Sequence, residues 1–285
     1  MSLKITGAPG RVNAKQRPQE AENRNQWWRF AALLIASAVV LIPIGAVFVL
    51  ATTDSSGSGF SFENFTRVFS ETGVSTWLTN SLVVTVGTVI FSVTVAAPAA
   101  YVLSRGRNRL VSAFSLTLFV IQSLPVITAV IPLFILFAGL NLVDNLLGVG
   151  IIYVGATMSV AIWMLAAYFD SIPIALEEAA WVDGASVFGS FTRIVLRNSL
   201  PGILSTSIFA FIVAWNDYLI AVIFLRGASN YTLPVGLQTF FQQNSTEWGP
   251  VMAVAVVMMA PPILLFIFLN KYFSVGGIGG SLAGR

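Results

Sequence analysis

A helix needs about 20 apolar residues to cross the hydrocarbon of a bilayer, because each residue advances it by only about 1.5 Å. Six stretches of this sequence meet that requirement, at residues 30–50, 78–103, 112–140, 146–169, 202–225 and 251–273. Only 9% of the 285 residues are charged, against about 25% in an ordinary soluble domain. So few charges cannot clothe a water-facing surface, so the outside must face lipid. The expected fold class is an all-α membrane protein with about six transmembrane helices spread over residues 30–273.

The positive charges orient these spans. With the N-terminus in the cytoplasm, Lys4, Arg11, Lys15, Arg17, Arg24 and Arg29 fall inside, as do Arg105, Arg107, Arg109, Arg193, Arg197, Lys271 and Arg285. Only Arg67 and Arg226 are left outside. The positive-inside rule therefore puts both termini in the cytoplasm. Trp27 and Trp28 would anchor the first span at its interface, where an amphipathic indole is best placed. The basic leader, residues 1–29, is polar and carries no aromatic residue before Trp27. That pattern predicts a disordered tail rather than a nucleic-acid-binding arm. It also lacks the short charged leader and small-residue cleavage site of a secretory signal. The Gly-rich residues 274–285 form the other expected tail.

The chain has no cysteine and no histidine. Disulfides, thiolate metal sites and thiol nucleophiles are excluded, and the commonest general base and metal ligand are missing. No internal repeat is visible between the halves, which gives an inverted-repeat secondary transporter no support. An intramembrane hydrolase would need paired catalytic groups at membrane depth, and no such set is found.

The most informative segment is the predicted cytoplasmic loop at residues 170–201. Ser171 is placed to cap a helix, Pro173 suits its first turn, and Glu177 and Glu178 sit near its N-terminal dipole. Gly184 permits a bend. A second helix is expected over residues 185–197, with Phe188, Phe191, Ile194 and Val195 on one stripe. Asp170, Glu177, Glu178 and Asp183 outnumber Arg193 and Arg197, an acidic balance on an otherwise basic side. Two helices that merely connect spans, or a docking site for a soluble partner, both satisfy these observations.

Glu178-Ala179-Ala180, Asp183-Gly184-Ala185 and then Phe191, Ile194, Leu196 and Pro201 resemble the EAA motif of the permease subunits of ABC importers. The family pattern runs E-A-A-x-x-D-G-A and, some eight residues on, I-x-L-P-x-x-x-P; at its first Pro this chain has Arg197. Ala214-Trp215-Asn216-Asp217 resembles the family's A-W-N-[ED]. The run from Thr232 to Phe240, then Trp248-Gly249, Met252-Ala253 and the glycine-rich close, is similar to the carbohydrate-import branch. The closest likeness is to the second, shorter permease of maltose- or glycerol-phosphate-type importers.

The resemblance implies a type I importer permease fold in a bacterial or archaeal cytoplasmic membrane, moving a sugar or related polyol. It implies no cofactor in this chain. ATP and magnesium would be held by two partner ATPase subunits, in keeping with the absence of a G-x-x-x-x-G-K-[ST] loop. Glu178, Ala179, Ala180, Asp183, Gly184, Ala185, Ile194 and Pro201 would form the ATPase-coupling element. A second permease, a different chain, and an extracytoplasmic solute-binding protein would complete the assembly, one or the other meeting the outer loop at residues 226–250. Within the spans, a lipid-facing carboxylate is costly. Asp217, with Asn216 and Gln122, is therefore expected either to line the translocation path or to make a satisfied packing contact. The competing class is a standalone secondary transporter, which predicts several intramembrane carboxylates where only Asp217 qualifies.

Overall fold

The computed structural model of the chain describes residues 19–54, 57, 59–241 and 246–277. Contacts divide it into two units, Met1–Val47 and Phe48–Arg285. Apart from one isolated antiparallel bridge between Thr53 and Phe60, the ordered elements among the described residues are helical. Four helices are long and apolar enough to cross a membrane, and two bent helix pairs bring the number of crossings to as many as six.

The first helix, α1 (Gln19–Ala51), starts well before the apolar run at Phe30. Residues 19–29 of the expected tail are therefore helical, and residues 1–18, like 278–285 of the other expected tail, lie outside the described residues. Trp27, Trp28 and the apolar side chains beyond them are exposed along α1, as a lipid-facing helix requires. A short amphipathic helix, α2 (Glu63–Glu71), follows and packs against the last helix. It is too short and too polar to be read as a span.

The frame of the second unit is α3 (Val74–Arg105) lying along α6 (Leu146–Asp170). The face α3 turns inward carries Ser81, Thr85, Thr88, Ser92, Ala96, Ala100 and Ser104, each three or four residues from the last and all buried. Small side chains at that spacing bring two backbones close, which is how helices gain packing energy where lipid is as apolar as leucine. Ser92 and Thr157 join hydroxyls across this seam at 2.8 Å. The opposite face of α3 shows Val83, Val86, Ile90, Phe91 and Val95 to the outside.

Two expected spans are not single rods. Residues 112–140 form α4 (Arg109–Ser123) and α5 (Val126–Gly139), which meet at 93°. The cause is Pro125: it bars the preceding Leu124 from helical geometry, and Leu124 is extended with ψ 125°. Asn108 caps the start of α4 by accepting from Val111 N–H at 2.9 Å. The loop after α6 holds α7 (Ala175–Val182), α8 (Val187–Ser190), a π-turn over Phe191–Val195 and α9 (Leu196–Asn198). This second segment bends by 76° into α10 (Leu200–Trp215), with Pro201 in the first turn of α10 where no N–H is needed. The expected span at 202–225 is then broken again, by Asn216, Asp217 and Tyr218, before α11 (Leu219–Phe224). α12 (Leu233–Gln238) and the long α13 (Trp248–Gly277) complete the chain.

The outer loop expected at 226–250 is largely built into the bundle. Trp77 Nε1 donates to Ala228 O at 2.8 Å, and Asn80 Nδ2 donates to Ser229 O and Tyr231 O at 2.8 and 2.9 Å. Leu233 N–H reaches Ser81 Oγ at 2.7 Å. Tyr231 and Phe240 pack on the Trp77 ring, so they are committed to the core rather than free for a partner. Asp144 clips two loops together: its Oδ1 accepts from Arg226 N–H and Gly227 N–H, both at 2.9 Å. These two backbone donors hold its carboxyl below the ordinary carboxylate range.

Two predictions follow from this packing. A Cβ on Gly202 would stand 2.4 Å from Cγ of Tyr168, inside a helix that cannot retreat. Gly202→Ala should therefore cost about 1–3 kcal/mol of stability, whereas Gly150→Ala, with open space at its Cβ, should melt at or above the wild-type temperature in detergent. Equal melting of the two variants would contradict the packing. The Asp144 clip adds stability above the unfolded carboxylate value of about 3.9 and loses it as pH falls through the lower folded value. Hydrogen exchange at the Arg226 and Gly227 amides should accelerate over that acid range, and at neutral pH in Asp144→Ala.

Candidate functional site

The loop between α6 and α10 is a built element. Ser171 does not cap α7 as the sequence suggests; its hydroxyl donates back to Tyr168 O at 2.6 Å and closes α6. α7 starts at Ala175 without a side-chain cap. Its end has full Schellman geometry: Gly184 N–H bonds Trp181 O at 3.0 Å and Ala185 N–H bonds Ala180 O at 2.8 Å. Gly184 stands at φ +88°, the left-handed region that a Cβ disfavours, and no neighbour lies within 4 Å of its missing Cβ. Glycine is needed there for conformation and not for room. Ser186, two residues on, accepts from Gly189 N–H at 3.0 Å and caps α8. Asp183-Gly184-Ala185-Ser186 is thus one helix end and the next helix start with no residue between them.

The second segment departs from the expected helix of 185–197. It runs from Val187 to Asn198 with a π-turn, in which Leu196 N–H reaches back to Phe191 O. The widened turn re-aims the expected stripe. Phe191 and Val195 are buried, Ile194 is partly buried, and Phe188 is 73% exposed. Arg197 is exposed on α9, and Pro201 is partly buried at the start of α10.

Glu177 and Glu178 lead opposite lives. Glu178 is exposed, with Ala179 beside it and Asp183 at the far end of α7. Ile174, Leu176, Val182, Val187 and Phe188 are exposed around them. The result is an apolar surface rimmed by two carboxylates. Glu177 is wholly buried. Its Oε1 accepts from Arg105 Nε at 2.8 Å and its Oε2 from Tyr101 Oη at 2.6 Å. Arg105 also donates to Ile172 O at 3.2 Å and to Ser104 Oγ at 3.1 Å, and Ser104 in turn donates to Asp170 at 2.5 Å. The Tyr101 ring lies 4.8 Å from that of Phe191. Trp181 Nε1 bonds Ser190 Oγ at 3.0 Å, folding α7 onto α8.

The sequence reading missed the role of Glu177, which it assigned to the helix dipole, and the part of Arg105 in this network, and it did not single out Tyr101 or Ser104. A signal was present. Tyr101 and Arg105 are four residues apart at the end of a span, hence on one helix face, and Arg105 was counted only for orientation.

The second polar locus is the break between α10 and α11. Asp217 Oδ2 accepts from Tyr153 Oη at 2.8 Å and from Ile220 N–H and Ala221 N–H at 3.1 Å each. Its carboxylate therefore supplies acceptors to donors that the broken helix leaves without partners. Asn216 is exposed and donates to Ile212 O at 2.9 Å. Gln122 is exposed at the other break, beside Leu124 and Pro125. No group of three or more acidic side chains suited to a metal ion occurs among the described residues.

Residues 92–275 match the model of the binding-protein-dependent transport system inner membrane component. The chain is 31% identical over 261 residues to the maltodextrin transport system permease protein MdxG of Bacillus subtilis (strain 168), covering 90% of this chain and 91% of that one. It is 35% identical over 205 residues to the inner membrane ABC transporter permease protein YcjP of Escherichia coli (strain K12), covering 72% and 73%. Among solved structures it is similar to a chain of a bacterial ABC transporter involved in the import of the acidic polysaccharide alginate. That likeness has a TM-score of 0.78 at 23% identity over 91% of this chain and 100% of the other, and it speaks to the fold.

Because the demand at position 184 is conformational, Gly184→Val should cost roughly 1–2 kcal/mol in the turn, and Gly184→Asn, which tolerates left-handed geometry, distinctly less. Limited proteolysis of the loop measures this: Val should open it and Asn should stay close to wild type.

Proposed function

The chain belongs to the family of binding-protein-dependent transport system inner membrane components and is a permease subunit of an ABC importer of that kind, and from this premise we propose that the α7–α8 surface docks a partner ATPase subunit and that the cargo is a carbohydrate or related polyol. The observation that carries the docking reading is the surface itself. Val182 and Phe188 are 88% and 73% exposed on an element that internal caps and a buried ion pair hold rigid. A fixed apolar surface with Glu178 and Asp183 at its rim suits insertion into a cleft bearing cationic groups. The maltodextrin and alginate systems among its likenesses support the cargo class.

On this reading Glu178 makes the polar contact to the ATPase, Ala179 and Ala180 keep that face flat, and Asp183, Gly184 and Ala185 set the turn. Ile194 and Pro201 lie on the path back to the bundle. ATP and magnesium belong to the two ATPase subunits, and this chain supplies movement rather than chemistry. Both termini lie in the cytoplasm, a reading supported by thirteen of the fifteen Lys and Arg residues falling on that side. The membrane is the cytoplasmic membrane of a bacterium or archaeon. A second, different permease chain and an extracytoplasmic binding protein complete the importer.

The translocation path runs past the two helix breaks. Backbone polar groups freed by a break cannot face lipid and must meet protein or water. Gln122 and Asn216, exposed at those breaks, are the side chains we assign to that wet face, with Asp217 behind them holding the second break in shape.

Glu178→Arg tests the docking claim, since it reverses charge on an exposed residue that supports nothing in the bundle. Affinity purification from mild detergent should recover the variant folded but depleted of ATPase, with uptake down at least tenfold. Full ATPase recovery together with wild-type uptake would sink the assignment.

A further inference from the structure

Glu177 is the wholly buried carboxylate at the functional loop, and docking makes no use of it. Removing a carboxylate and a guanidinium from water is costly, and the attraction between them offsets that cost only with good geometry and further hydrogen bonds. Here both conditions hold. Each Glu177 oxygen has its own donor, Arg105 Nε on Oε1 and Tyr101 Oη on Oε2. Arg105, 17% exposed in its side chain, spends its other donors on Ile172 O and Ser104 Oγ. Through Ser104 the network reaches Asp170, the last residue of α6.

The placement of these groups matters more than their energy. Tyr101, Ser104 and Arg105 lie on the last turns of α3; Asp170 ends α6; Ile172 lies on the connection; Glu177 lies on α7. The Arg105 guanidinium therefore ties α3 to the docking helix and to the connection at Ile172, and the neighbouring Ser104 hydroxyl ties α3 to the end of α6. Apolar packing around it, with Phe169, Phe191 and Val195 in the same buried cluster, resists compression. A packed contact offers little resistance to being pulled apart, because dispersion fades within a fraction of an ångström of extra separation. A charge-assisted hydrogen bond, from a guanidinium whose plane is held by its further bonds to Ile172 O and Ser104 Oγ, resists pulling and sideways slip as well.

We propose that Arg105 and Glu177, steadied by Tyr101, are positioning residues that transmit displacement of α7 to α3 in both directions of the transport cycle, so that a subunit docked on α7 drags the α3–α6 frame with it. The proposal rests on the docking reading above but concerns a different residue and a different step. Glu178 holds the partner; Glu177 passes the movement on.

Two variants separate transmission from mere support, in the complex purified with its partner subunits and reconstituted with the binding protein. Glu177→Gln keeps the shape and the Tyr101 contact but removes the charge. The pair Arg105→Met with Glu177→Leu replaces the ion pair by apolar groups of similar size, a change that buried pairs often tolerate in stability. Both should retain the ATPase subunits and wild-type basal hydrolysis, while stimulation of hydrolysis by liganded binding protein falls at least tenfold and ATP consumed per solute rises. Wild-type stimulation in either variant would overturn the proposal, because the site would then be structural only. Loss of the ATPase from Glu177→Gln would overturn it too, by making Glu177 a docking residue. Absence of the ATPase from the wild-type preparation would instead count against the docking reading.

Discussion

Hydrocarbon offers no partner to a backbone N–H or C=O, and that single constraint orders the rest of this structure. A long helix without proline, such as α6, satisfies it without help, and in α13 the Met258 carbonyl four residues before Pro262 accepts from Trp215 Nε1 instead. At three further places a specific side chain takes up the freed groups. Asn108 does so at the start of α4. Asp217 does so ahead of α11, with Tyr153 as its third donor. Asn145 accepts from Leu147 N–H at the start of α6. Polar residues inside this bundle are placed where the backbone needs them.

The same constraint explains why polarity is spent so differently along α3. In its middle, hydroxyls and alanines let α6 approach, and a lone hydroxyl pair, Ser92 with Thr157, suffices. At one end, Asn80, Ser81 and Trp77 fasten the segment between α11 and α12 by backbone acceptors and donors. At the other, Tyr101 and Arg105 fasten α7 at the Glu177 carboxylate, and Ser104 fastens the end of α6 at Asp170. Uncharged bonds to backbone suit a cover that stays in place. An ion pair suits a contact that must hold under load, the role we propose for it.

The α7–α8 element shows how local chemistry and tertiary placement divide the work. Its internal shape comes from four consecutive residues, Asp183 to Ser186, and would form from their own caps and the left-handed glycine. Its direction does not. The π-turn at Phe191–Val195 and the 76° bend into α10 decide which way the surface with Val182 and Phe188 points. Both accompany the burial of Phe191 and Val195 in the cluster with Phe169 and Leu165, while Phe188 stays exposed.

The amino-acid sequence by itself determined the membrane class, the approximate extent of the apolar runs, the loop with its bend at Gly184, and the family, through residues 178–201. These are properties of composition and of near-neighbour spacing, which a linear string carries in full. It did not reveal that the runs at 112–140 and 202–225 are broken. Hydrophobicity averages over a window, so Pro125 reads as a kink within one span and Asn216-Asp217 as a tolerated interruption until packing shows where each half goes. Nor did it separate Glu177 from Glu178. Adjacent residues on a helix point about 100° apart, and only the fold, by bringing Arg105 and Tyr101 from some 70 positions earlier in the chain, decided which carboxylate would be buried and which left exposed.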